Sequence, residues 1–134
     1  MVIIPEARRS GALPGLFAAL KKIYITPKWN EQILRILEAK IYSKNNQTGR
    51  KGMNLWLIFV LSQVRLCNNI SYYDLYYMAN YDKLLRQIMG VESEYGYENL
   101  EINYQTTIDN VGLLDDETVM LLNEIIVSFG HEEF

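Results

Sequence analysis

The chain has little of the chemistry on which small metal-binding or catalytic domains depend. Cys67 is the only cysteine and His131 the only histidine. One cysteine cannot close an internal disulfide, and a lone Cys and His cannot make up the ligand set of a structural zinc site. Cys67 lies in an apolar stretch and reads as core, while His131, close to the end of the sequence, reads as solvated. Long apolar runs are missing too. Residues 55–61 form the longest, far short of the roughly 20 needed to cross a bilayer. At the start, Val2, Ile3 and Ile4 precede Arg8 and Arg9, the reverse of a secretory signal. A cytoplasmic protein with no membrane partner is expected. Gly49 and Gly52 lack the spacing of a phosphate-binding loop and follow no strand, which argues against nucleotide binding. The carboxylates after Glu92 fall on loops and helix caps, where acids are common anyway, so they do not suggest a two-metal site. No catalytic residue, metal, cofactor or small-molecule substrate is expected.

What is present fits one globular domain. Of 134 residues, 49% are hydrophobic and 22% charged, a balance able to build a modest core rather than remain disordered. The net charge of −3 conceals a strong polarity. Residues 1–52 carry ten Lys and Arg against three Glu, whereas residues 92–134 carry eleven carboxylates and no Lys or Arg. A nucleic-acid surface is therefore expected in the first part of the chain. A neutralising contact between the basic and acidic parts explains the same pattern equally well.

Residues 1–12 lack periodicity and are expected to form a mobile arm, with 13–134 a single helical domain. Within it, 13–90 make a basic core and 91–134 an acidic linker with C-terminal helices. Leu16, Phe17, Leu20, Ile23 and Tyr24 recur at helical spacing from Pro14 onward. Thr26 and Pro27 signal the next start, the hydroxyl as cap and the proline at a position whose N–H has no partner. Trp29, Ile33, Ile36, Leu37 and Ile41 form that helix's apolar stripe. Residues 43–52, polar and glycine-containing, read as a loop. Asn54 is then positioned to cap a helix that is apolar on nearly all sides through Cys67, which suits the centre of a small bundle. Ser71 and Asp74 form a capping box opening a helix over 72–80, and another follows over 82–89, ending at Gly90. A helix, a short turn and a capped second helix is helix-turn-helix spacing, which simple helical hairpins share. Residues 91–101 read as linker and 102–111 as a short helix. Asp115 caps the last helix, Leu114 and Val119 are spaced as a hydrophobic staple, and Gly130 is expected to end it. The fold expected is all-α, a bundle of about six to seven helices with a helix-turn-helix-like unit.

Two groups of side chains invite contact with a polyanion. Lys44, Arg50 and Lys51 lie in the donor-rich loop, where backbone N–H groups can assist in binding phosphates. Tyr72, Tyr73, Tyr76 and Tyr77 place two rings on each of two adjacent helical faces. One pair can pack inward while the other presents its hydroxyls outward, or all four can be core and interface residues.

Residues 48–89 carry more than pattern: Thr-Gly-Arg-Lys-Gly-Met-Asn-Leu-Trp over 48–56, Val-Arg-Leu-Cys-Asn-Asn-Ile-Ser-Tyr-Tyr-Asp-Leu over 64–75, and Ala-Asn-Tyr-Asp-Lys-Leu-Leu-Arg-Gln-Ile-Met-Gly over 79–90. In this order they resemble the amino-terminal domain of bacterial DDE-type insertion-sequence transposases, in the group where a Thr-Gly-Arg-x-Gly-Met loop opens the central helix. Ile23-Tyr24-Ile25-Thr26-Pro27-Lys28-Trp29 upstream and Thr107-Ile108-Asp109-Asn110-Val111 downstream extend the likeness over roughly residues 14–131. The resemblance implies binding to the terminal inverted repeats of a mobile element and assembly of subunits on those ends. It places cleavage on a following RNase H-like domain with three metal-binding acids, none of which matches Asp109, Asp115 or Asp116. The expected partner is double-stranded DNA, contacted by Lys44, Arg50 and Lys51, supported by Arg65, with Tyr72 and Tyr73 at the start of a groove-facing helix. The chain by itself is expected not to be an enzyme. A dimerisation or docking module whose acidic half meets the catalytic domain is the alternative, and a remnant open reading frame a third.

Overall fold

Capping side chains and apolar stripes divide the chain into seven helices in a computed structural model that describes residues 13–45, 54–91 and 101–133, and the side chains of 15–41, 54–91 and 101–130. They are α1 (Leu13–Tyr24), α2 (Pro27–Asn45), α3 (Leu55–Asn68), α4 (Tyr72–Tyr81), α5 (Lys83–Met89), α6 (Tyr104–Val111) and α7 (Asp116–Glu133). No strand occurs among the described residues, so the all-helical bundle expected from the sequence is the fold observed. The expected arm over 1–12, most of the 43–52 loop and most of the 91–101 linker lie outside the described residues. At its near edge the loop begins later than expected, because α2 continues to Asn45.

Most helix starts follow the expected chemistry. The Asn54 side chain accepts the Leu57 N–H at 2.9 Å, Ser71 Oγ accepts that of Asp74 at 3.1 Å, and Asp115 Oδ1 that of Thr118 at 2.8 Å. Each satisfies one of the N–H groups that a first helical turn leaves without a partner. Asp82 does double duty: its N–H closes α4 on the Met78 carbonyl and its side chain caps α5 on the Leu85 N–H. α3 stops at Asn69, which turns left-handed (φ 53°), and α5 stops at Gly90 (φ 80°). Asn and Gly are the residues that take this conformation most readily.

Thr26 differs from expectation. Its hydroxyl donates backward to the Lys22 carbonyl at 2.6 Å instead of capping α2. The last turn of α1 offers this carbonyl because the Thr26 N–H goes to Ile23 instead, and the Trp29 N–H is already taken by the Thr26 carbonyl at 3.1 Å. Gly130 differs as well, for α7 runs through it to Glu133.

α3 packs against each of the other helices. On one side of it α1, α2 and α7 contact one another; on the other, α4 meets α5 and α6; α1 and α5 touch between the two sides. Leu57, Ile58, Phe59, Val60, Leu61 and Val64 of α3 are all buried, as a helix enclosed on every side requires. Full burial of each such side chain stabilises the fold by about 1.5–3 kcal/mol. Polar contacts fix how the helices pair. Asn123 on α7 donates to the Gln63 side chain at 3.1 Å inside the core, and Gln63 donates to the Val119 carbonyl at 3.2 Å at its edge. Lys40 on α2 meets Asp115 before α7 at 3.2 Å. Trp29 near the start of α2 stacks edge-on against Phe129 near the end of α7, so these two helices run antiparallel.

Candidate nucleic-acid interface

α3 and α4 are joined by residues 69–71, giving the helix-turn-helix spacing the sequence suggests. The four tyrosines at the start of α4 divide as their spacing allows. Tyr72 and Tyr76 are half-buried, whereas Tyr73 and Tyr77 are 56% and 52% exposed. Helical period requires this split, since residues four apart share a face and neighbours do not.

Arg65 and Tyr72 come together. The guanidinium carbon sits 4.1 Å from the centre of the Tyr72 ring, a cation–π distance. Arg65 is half-buried and its Nε is enclosed without a hydrogen-bond partner. Both residues line a cleft of about 450 Å³ with Asn69, Leu114, Asp116 and Met120. Tyr73 belongs to a different surface: it meets Tyr76 and Tyr104, with the three ring centres 5.3–5.9 Å apart. Tyr77 and Tyr81 stack beside them at 4.6 Å. Lys44 lies in the final turn of α2, its side chain outside the described residues, as are Arg50 and Lys51 altogether. Among the described candidates, then, Arg65 and Tyr72 share a cleft and Tyr73 stands on an aromatic face.

Of the other described cations, Lys40 pairs with Asp115, Arg35 and Lys83 are exposed on α2 and α5, and the rest fall into two kinds. Arg86 is buried and works as a clasp. Its guanidinium donates to the Ala79 carbonyl at 2.8 Å and the Val91 carbonyl at 3.2 Å, joining the end of α4 to the end of α5. Lys21, Lys22 and Lys28 are exposed where α1 turns into α2. Sequence reasoning counted them in the basic half without assigning them to the interface. Their signal was position, because the last turn of one helix and the first turn of the next are brought together by a short connection.

At the opposite pole of charge, Asp115 joins Asp116 and Glu117 at the start of α7. Hydrogen bonds from the Thr118 hydroxyl and N–H, then the Lys40 ammonium, hold the Asp115 carboxyl well below the usual carboxylate range. The contact shows that part of the acidic segment does neutralise part of the basic one. Among the described residues no group of three or more His, Cys, Asp or Glu side chains could share a metal ion. No helix among them is long and apolar enough to cross a membrane. The chain matches no family model, no curated protein and no solved structure.

Proposed function

We propose that this chain is the DNA-handling, amino-terminal module of a bacterial insertion-sequence transposase, which binds the terminal inverted repeats of its element in the cytoplasm. The observation that carries the reading is the ordered run of motifs from Thr48 to Gly90, with its flanks at 23–29 and 107–111. An all-helical bundle whose most apolar helix sits at the centre agrees with it, as does the helix-turn-helix spacing of α3 and α4. On this reading cleavage and strand transfer belong to a separate RNase H-like domain, and the module binds, orients and recruits without acting as an enzyme itself. A gel-shift titration compares the element's own ends with a shuffled duplex of equal length. Preference for the ends, with affinity falling steeply as salt rises, is the expected result. Equal binding to both duplexes, or none, contradicts it.

The exposed tyrosines favour a second reading. Tyr73, Tyr77, Tyr81 and Tyr104 form a surface of aromatic rings with Asp74 among them and no Lys or Arg on α4. Aromatic residues are enriched, and charged ones depleted, at the centres of protein interfaces. A docking or dimerisation role for this face is compatible with DNA binding elsewhere. Light scattering without DNA separates the two: a dimer mass at micromolar concentration supports it, and a monomer throughout removes it.

A further inference from the structure

We infer that the corner between α1 and α2, carrying Lys21, Lys22 and Lys28, is the surface that takes the DNA phosphate backbone, and that α4 is not. The inference rests on the DNA-binding reading above and names where on the molecule it acts. Helix-turn-helix spacing directs attention to α4, yet the charges lie elsewhere. The outward side of α4 offers Tyr73, Asp74, Tyr77 and Tyr81, and the helix contains no cation. Duplex DNA carries one negative charge per ~1.7 Å of its axis, so Asp74, the only charge α4 itself carries, repels it, and the neighbouring Arg65 is half-buried over the Tyr72 ring.

The corner offers the opposite. Lys21 and Lys22 occupy the last turn of α1 and Lys28 the first turn of α2, all exposed. The backbone between them is tied down. Besides the Thr26 hydroxyl on the Lys22 carbonyl, the Asn30 side chain donates to the Tyr24 carbonyl at 2.9 Å, and the Thr26 N–H to the Ile23 carbonyl at 3.1 Å. The lysines thus stand on a fixed platform, Lys28 with its ammonium 5.2 Å from the centre of the Trp29 ring, which suits phosphate contacts that set orientation without reading sequence. Toward α5, Lys21 borders a groove of about 310 Å³ with Trp56, Leu84 and Gln87, and no carboxylate lines it. A carboxylate borders the corner on its other side, where Glu31 follows Lys28 one turn along α2. The approach left to a polyanion is therefore across α1 and toward α5.

The test uses the full chain with Lys21→Gln, Lys22→Gln and Lys28→Gln, singly and together, against Tyr73→Ala/Tyr77→Ala. Each lysine change is expected to weaken binding to end and shuffled duplexes by the same factor, and to lower the log–log salt slope by about 1. The triple variant should lose at least about tenfold in affinity, while the tyrosine variant stays near wild type. Unchanged circular dichroism and thermal midpoints show that the exposed substitutions leave the fold intact. Both tryptophans adjoin the corner, so tryptophan emission should respond to duplex in the wild type. Wild-type binding with unchanged lysine variants, or loss confined to the tyrosine variant, overturns the assignment alone. A wild type that binds no duplex overturns the DNA-binding reading and the assignment with it.

Discussion

On one side of α3, the helices α1, α2 and α7 are held by apolar stripes: Leu16, Leu20, Ile33, Leu37, Leu122 and Phe129 are all fully buried. On the other side α4, α5 and α6 are ten, seven and eight residues long, and depend much more on polar side chains reaching backbone. Helices this short bury few side chains and are marginal on their own. Asn80 shows the difference. Its side chain donates to the Tyr76 and Ile102 carbonyls and accepts the Ile102 N–H at 2.8 Å, pairing with one backbone residue as a strand would. Trp56 adds a bond from its indole N–H to the Ile88 carbonyl at 2.9 Å. Apolar stripes tolerate small shifts in register, whereas directional bonds do not. The first side is thus built for bulk stability and the second for a fixed arrangement of its exposed aromatic face.

Substitutions can break this contrast, beginning with the largest effect. Phe129→Ala removes a fully buried ring packed on Trp29 and should cost about 3–5 kcal/mol in urea unfolding. The whole bundle is expected to lose stability, since α7 touches α1, α2 and α3. A cost below about 1 kcal/mol would mean that this side is not the stabilising one. Arg86→Met keeps much of the side-chain volume but strands the Ala79 and Val91 carbonyls. The expected loss is about 2–3 kcal/mol, with amide exchange rising first around α5.

Asn80→Ala should cost less, about 1–2 kcal/mol, and speed exchange at the Ile102 amide specifically. Uniform acceleration across the protein would show that the clasp is not local. The smallest effect concerns Asp115. Its folded carboxyl titrates below the unfolded value of about 3.9. Its charged cap therefore stabilises the fold above that pH, and the benefit disappears as pH falls through the lower folded value. Asp115→Asn keeps a capping oxygen without the charge. Its thermal midpoint should lie below wild type at neutral pH and converge with it on acidification below about pH 4. A constant gap across that range would show that the charge contributes nothing.

Much of the fold was legible because it is written locally. Asn54, Ser71 and Asp115 each act on an N–H three residues ahead, and α3 announces its central place by being apolar on all sides. The contacts that fix the second side were not. Asn80 and Ile102 are 22 residues apart, and nothing near either member indicates the partner; the same holds on the first side for Gln63 and Asn123, 60 apart. Arg86 is illegible for the same reason, because nothing beside it in the sequence tells a solvated cation from one buried against helix-end carbonyls. Arg65 was expected to support a phosphate-contacting face, and it lies over the Tyr72 ring in a cleft shared with Asp116. For the candidate interface, residue types were readable and their convergence was not. Which lysines stand together depends on the turn at Thr26, and the tyrosine face depends on how α6 lies against α4.

The central claim is that the two sides serve different purposes, the lysine corner meeting DNA and the tyrosine face leaving it free. Amide hydrogen exchange of the protein, with and without a duplex carrying the element's end, tests it directly. Slower exchange on adding DNA at residues 21–30, with 72–81 unchanged, is the outcome the account predicts. Protection confined to 72–81, or none anywhere, would contradict it.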